Sequence, residues 1–159
     1  ILKNLMLGVK EMELHSEDIK ESITKRLLEI APDVEVYKEA VTNPKYPHFF
    51  IHQISVSDEE ERKDYHLLTY SMDIRYRTVS DPSTDLKLNQ NLSSMGLKLL
   101  TNFNIIDFNE SKIRCNDKSI EVQDGVLHFF TSLTTLVKLD KGEEINKQNS
   151  LEVNIDNKV

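Results

Sequence analysis

The sequence predicts an α+β fold, in which a mostly antiparallel or mixed β-sheet is covered by two amphipathic helices. Two stretches, residues 16–30 and 88–103, carry apolar side chains three or four positions apart, which is the helical period. A third stretch, residues 68–77, alternates between apolar and polar side chains, as a strand with one buried face does. Shorter segments rich in aromatic and β-branched residues indicate further strands.

The chain has 159 residues, which is the size of one domain with short extensions. Only four glycines and four prolines are present, and this favours a few long regular elements over a loop-rich fold. We divide the chain into an N-terminal extension (1–14), a single α+β domain (15–140) and a polar C-terminal tail (141–159).

The first helix is predicted from Ser16 to Ile30. Ser16 is a hydroxyl cap, and the two acidic residues after it suit the positive end of a helix dipole. Pro32 ends the pattern. The buried stripe is Ile19, Ile23, Leu27 and Ile30.

The opening segment 1–9 is apolar but too short for the core of a signal peptide, and no run approaches the roughly 18 apolar residues of a membrane helix.

Three strands are predicted next. Residues 34–37 form a short strand, and a polar connection through residues 43–47 leads into a second strand at His48–Ser57. Asp58–Asp64 is a dense run of charges and is predicted to be a turn. The long alternating strand then ends at Arg77.

A second helix is predicted to open at Asp81–Asp85, with Pro82 in the first turn, where no backbone donor is needed. Gly96 lies in the middle of this helix, at a cost of about 1 kcal/mol relative to alanine. We therefore predict that it permits close packing on the sheet. The apolar stripe is Leu88, Leu92, Met95, Leu99 and Phe103.

The remaining strands are predicted as a meander of hairpins. Short pieces at 104–108, 111–115 and 119–122 are separated by the polar pairs Asn109-Glu110 and Asn116-Asp117. Asp124-Gly125 is a sharp turn into a long last strand, Val126–Leu139.

No arrangement of residues in the sequence indicates catalysis or a cofactor. Cys115 is the only cysteine, so it forms no internal disulfide and no zinc cluster, and it is interpreted as a packing residue. Four glycines cannot build a phosphate-binding loop, and no Gly-x-Ser-x-Gly turn occurs. His48 and His52, two of five histidines, would stand about 13 Å apart on one face of a strand, too far to share a metal ion. His128 is predicted to be a hydrogen-bonded interior residue.

A metal-dependent nuclease remains an alternative, because Asp73 and Asp107 both fall in predicted strands and paired carboxylates can hold Mg²⁺. Asp73 alternates with Arg75 on the polar face of its strand, so cross-strand ion pairing is the preferred interpretation.

Three parts of the chain are candidates for protein–protein contacts. The net charge of −7 disfavours a protein whose main task is to grip phosphates. We predict contacts at the loop Glu39–Tyr46, which includes Lys45 and Tyr46, and at one or both termini, the polar tail among them. The charged hairpin is either a solvated loop or a partner contact, and the contact would be made through Asp58, Glu59, Glu60, Glu61, Arg62, Lys63 and Asp64.

Four segments resemble the tail terminator family of Gram-positive phages, prophages and phage-tail-like bacteriocins. Ala31–Glu39 (APDVEVYKE) follows a helix and is similar to the family's proline-acid turn into a valine-tyrosine strand. Tyr46–Ile51 (YPHFFI) is similar to its proline-aromatic strand start, and Asp73–Tyr76 (DIRY) to a segment of its long strand. Val122–Phe130 (VQDGVLHFF) resembles the turn and last strand. The likeness spans residues 16–139 and leaves out both ends.

The resemblance implies a structural protein without catalytic residues or cofactors. Members form a ring of six copies that caps the head-proximal end of the tail tube and faces the neck or connector proteins. In a contractile tail the ring would also meet the last sheath ring. The net charge of −7 permits DNA to pass through such a ring without specific binding. The protein would reside in a virion or phage-tail-like particle assembled in the bacterial cytoplasm, with no membrane partner. A head–tail adaptor of the neck is a related alternative.

Overall fold

The computed structural model describes residues 2–79 and 85–138, which form two helices and a curled six-stranded sheet. The strand order is β1-β2-β3-β6-β5-β4. β1 pairs parallel to β2, and every other neighbouring pair is antiparallel, so the sheet is mixed and the predicted α+β class is confirmed. The elements are α1 (Leu2–Ile30), β1 (Glu35–Tyr37), β2 (His48–Arg62), β3 (Tyr65–Arg77), α2 (Asp85–Asn102), β4 (Ile105–Phe108), β5 (Ser111–Gln123) and β6 (Val126–Lys138).

One hydrophobic core lies between the helices and one face of the sheet. On α1 the predicted stripe is buried, with Ile19, Ile23 and Leu27 fully inaccessible to solvent. On β3 the apolar half of the alternating pattern is buried as predicted, because period two directs those side chains to a single face. The buried residues of β3 are Leu68, Tyr70, Met72, Ile74 and Tyr76.

The predicted start of the first helix is wrong. α1 begins at Leu2, fourteen residues before Ser16, and Ser16 lies inside the helix. A hydroxyl followed by acidic residues caps a helix only where the chain before it leaves the helical conformation. Residues 2–14 contain no proline and are rich in leucine, methionine, lysine and glutamate, which continue a helix readily.

The charged run is a strand rather than a turn over most of its length. β2 continues through Asp58 to Arg62, opposite the first residues of β3, and only Lys63 and Asp64 form the turn. Asp64 has φ 66°, a conformation that aspartate tolerates in tight turns. The run therefore forms the stiff end of a hairpin, because ladder hydrogen bonds hold its backbone.

The two predicted pieces at 111–115 and 119–122 are one strand, β5, and this prediction of a break is wrong. The register with β6 shifts between Asn116 and Ser119, where Asp117 takes φ 51°. The polar pair thus makes an irregularity inside the strand, where Thr131 Oγ1 donates to the Asn116 carbonyl at 3.0 Å. Asp124 and Gly125 form the predicted turn, both with positive φ.

Gly96 packs against the sheet as predicted. A Cβ placed on it would lie 2.8 Å from Ile120 Cδ1 and 3.1 Å from Leu127 Cδ1. The predicted opening of α2 at residues 81–84, Leu139 and the polar tail all lie outside the described residues.

The change Gly96→Val is expected to lower the free energy of unfolding by about 1–2 kcal/mol, because the added atoms overlap Ile120 and Leu127. Urea denaturation followed by circular dichroism measures it. The matched change Ser94→Val, at an exposed position of the same helix, should shift the value by less than about 0.5 kcal/mol. Equal losses in the two variants would show that Gly96 has no packing role.

Candidate interaction surfaces

The loop between β1 and β2 is anchored by histidine and tyrosine side chains. The Lys45 N–H donates to Tyr37 Oη at 3.0 Å, and His48 Nδ1 lies 2.9 Å from the Lys45 carbonyl oxygen. Burial lowers the pKa of His48, so its ring is neutral near pH 7 and Nδ1–H can donate this bond. The Tyr46 ring packs on the His48 ring with centroids 4.8 Å apart.

Lys45 and Tyr46, both predicted contact residues, are exposed at this end of the sheet. Tyr46 keeps 49% of its surface accessible although its ring is held against His48. An aromatic side chain fixed in this way offers contact area at a low entropic cost to binding. We call this region the loop end of the sheet.

The predicted charged contact residues lie at the tip of the β2–β3 hairpin. Asp58 Oδ1 is 2.6 Å from Nδ1 of the buried His66, and the Arg62 guanidinium lies 4.2 Å from the centre of the Tyr65 ring. These two contacts join the strands on both sides of the turn. Residues 58–64 form what we call the acidic tip, and Glu59, Glu60 and Glu61 are exposed there.

The structure does not bring the two predicted surfaces together. The first ten residues of β2, His48–Ser57, lie between them, so they are about 33 Å apart at the usual strand rise. One protomer therefore presents two separate candidate surfaces.

A third feature lies on the sheet face opposite the core, where sequence reasoning predicted only ion pairing. Asp73 is 4% exposed; its Oδ2 accepts from Arg75 Nε at 2.8 Å, and His128 Nδ1 lies 3.1 Å from both carboxylate oxygens. The pair with Arg75 is along one strand, whereas the cross-strand partner is His128. His128 is thus hydrogen-bonded as predicted, but it is partly exposed on the face away from the core and is not an interior residue.

Two aromatic residues flank this ion pair. Phe50 stacks on His52 with centroids 6.4 Å apart, and Phe130 stacks on His128 at 5.9 Å. The alternation of side chains in the sequence could have predicted this cluster, because Phe50 and Phe130 occupy the positions that alternate with the core residues of their strands. Assigning both faces of each strand would have found this cluster.

No described residues form a recognisable catalytic site. Asp107 is exposed on β4, which β5 and β6 separate from β3, so it does not pair with Asp73. Within residues 2–79 and 85–138 no three His, Cys, Asp or Glu side chains converge as metal ligands. The geometry thus gives the nuclease alternative no support.

Cys115 packs in the core, and burial raises the pKa of its thiol to about 11. Because the thiolate is the reactive form, we expect the native protein to react with a disulfide reagent at pH 8 at least about 100-fold more slowly than a free cysteine. Urea-unfolded protein should react at once. Rapid labelling of the native protein, followed by absorbance, would contradict this burial.

Comparison with known proteins identifies one family. No helix in the described part of the chain has the length and apolar character needed to span a bilayer. A search of curated proteins returned no match. A family model described as phage tail terminator protein matches residues 18–145, more than three quarters of the chain and nearly the segment in which the resemblance was found. The chain belongs to the phage tail terminator protein family, which makes it a structural component of a phage tail.

Proposed function

We propose that this protein is the subunit of a ring that caps the head-proximal end of the tail tube. The ring ends tube growth and offers its free surface to the neck or connector proteins and, in a contractile tail, to the last sheath ring. Six copies are the expected number, and assembly takes place in the bacterial cytoplasm. The observation that carries the proposal is the family match over residues 18–145.

The arrangement of surfaces supports a ring. Closed rings form when one patch of a subunit contacts a different patch on the next copy and the rotation closes. The acidic tip and the loop end are two such patches, separated by the first ten residues of β2. A subunit that builds a ring also has to be rigid, and the helix-backed sheet with its single core meets this requirement.

The charge of the chain supports passage of DNA without retention. The net charge is −7, and like charges repel the phosphates of a duplex in a pore. In this proposal DNA crosses the ring on its way from the head.

Deletion of the gene tests the proposal. We expect tails of uncontrolled length, or tails that fail to join heads, because nothing ends tube growth or presents a surface to the neck. Electron microscopy measures tail length and attachment, and the wild-type gene supplied in trans should restore both. Normal infectious particles from the deletion strain would refute the proposal.

Labelling distinguishes a terminator from a head–tail adaptor. In the deletion strain supplied with a tagged chain, a gold label should mark the head-proximal end of free tails. A label on tailless heads alone would assign the protein to the neck instead.

A further inference from the structure

The outer side of β2 is open along most of the strand. β1 pairs only with residues 48–50, so no other strand in the described part of the chain lies beside β2 from residue 51 to residue 62. Ile54, where the register with β3 shifts, is 53% exposed on this part of β2. An open strand edge readily accepts a further strand, and proteins usually protect such edges. We call residues 54–58 the β2 edge.

The backbone groups that are available at the β2 edge follow from the hydrogen-bond ladder, in which residues bonded to one neighbour alternate with residues directed to the other. Pairing with β1 shows that odd-numbered residues at the start of β2 are directed outward. The register shift between Gln53 and Ser55 reverses that order. Val56 and Asp58 therefore direct their N–H and C=O groups outward, whereas Ser55 and Ser57 bond to β3. A strand added beside β2 would bond to Val56 and Asp58.

The end of the chain carries the sequence pattern of such a strand. Residues 151–156 alternate between apolar and polar side chains, which is typical of a strand with one buried face. They lie outside the described residues and after the family match, which ends at residue 145. The alternating residues are Leu151, Glu152, Val153, Asn154, Ile155 and Asp156.

The position of Lys138 places this segment within reach of the β2 edge. Lys138 is the last described residue and lies opposite Tyr65, at the same end of the sheet as the acidic tip. The site beside Val56 is about 22 Å away, from five residues of strand rise and three strand spacings. Residues 139–150 can span up to about 40 Å when extended. A strand that arrives from this end of the sheet runs antiparallel to β2.

The open part of β5 suits this segment less well. β4 pairs only with residues 111–114 of β5, so among the described strands residues 119–123 have a neighbour on one side alone. That stretch lies towards the end of the sheet away from Lys138, and a segment arriving from Lys138 would run parallel to β5. Parallel pairing is slightly weaker per residue than antiparallel pairing. The geometry therefore favours the β2 edge.

We propose that residues 151–156 pair with the β2 edge of their own chain as an additional antiparallel strand. Val56, which lies opposite Tyr70 and packs partly buried against the core, directs its backbone outward. The segment residues opposite such positions face the core, so the apolar members, Val153 among them, make the bonds to β2. A tethered segment has a high effective concentration at its site, which favours its own chain over a second copy. The inference does not depend on the proposed function.

Amide hydrogen exchange, followed residue by residue by NMR, tests this pairing in the full chain. The change Val153→Pro removes a ladder donor and should speed exchange at Val56 and Asp58 by about tenfold or more. Exchange at Ser55 and Ser57 should stay the same, because their bonds to β3 are intact. The matched control Lys147→Pro lies in the connecting residues and should leave exchange at all four amides unchanged.

Mixing identifies the chain that supplies the strand. Isotope-labelled Val153→Pro protein is mixed with unlabelled wild-type protein, and its Val56 and Asp58 amides should remain in fast exchange. Protection of these labelled amides would show that a second copy donates the strand, which would overturn pairing within one chain. Equal exchange at Val56 and Asp58 in the wild-type and Val153→Pro chains would overturn the added strand altogether.

Discussion

The change Phe129→Ala is expected to lower the free energy of unfolding by about 3–5 kcal/mol. Phe129 is fully buried on β6, lies opposite Ile74 of β3, and meets the Phe103 ring edge to face at 5.5 Å between centroids. Its removal leaves a cavity where β6 packs against β3 and the end of α2. Urea denaturation followed by circular dichroism measures the loss.

Leu136→Ala is the control for this change, because Leu136 is on the same strand but 48% exposed on the other face of the sheet. Its loss should stay below about 1 kcal/mol. An equally small loss of unfolding free energy for Phe129→Ala would mean that the Phe129 side chain is not central to the core.

The change Asp73→Ala is expected to lower the free energy of unfolding by about 2–3 kcal/mol, because Arg75 and His128 then lose their shared carboxylate. This loss of unfolding free energy is smaller than that expected for a fully buried ion pair, because about a third of the Arg75 side chain is exposed. Thermal and urea denaturation measure it.

Asp107→Ala is the matched control for Asp73→Ala, since Asp107 is an exposed strand aspartate without an ion-pair partner among the described residues. Its effect should be within about 0.5 kcal/mol. If Asp73→Ala left stability unchanged but abolished a Mg²⁺-dependent cleavage of plasmid DNA, the aspartate would be catalytic and the structural interpretation wrong.

The long periodic elements could be predicted from the sequence because their apolar spacing directly encodes a buried face. The stripe of α1, the alternation of β3 and the Asp124-Gly125 turn are determined by neighbours in the sequence, and all three are confirmed. Gly96 could be interpreted in the same way, because close packing against the sheet explains a glycine in the middle of a helix.

The errors occur where a partner strand or a preceding segment decides the conformation. The charged end of β2 is extended because the start of β3 lies opposite it, although its composition favours a turn. The polar residues Asn116 and Asp117 remain within β5 because β6 pairs on both sides of them. Local composition does not contain this information.

The candidate surfaces were partly predictable. Dense charge indicated the acidic tip, and a proline-flanked polar loop indicated Lys45 and Tyr46. A groove lined by Tyr46, Arg77 and Val126 was missed, because it forms only where the β1–β2 loop, the end of β3 and the start of β6 meet. Such a surface depends on tertiary structure, so no single segment of the chain reveals it.

The pairing of β3 with β6 has a consequence for the route by which the chain folds. β2 and β3 form one hairpin local in sequence, and β4, β5 and β6 form a second local unit. Only the seam from Tyr65 opposite Lys138 to Tyr76 opposite Leu127 joins them, across a loop of some fifty residues or more. Closing this seam costs more loop-closure entropy than any other strand pairing in the sheet. We therefore expect this step to limit the folding rate.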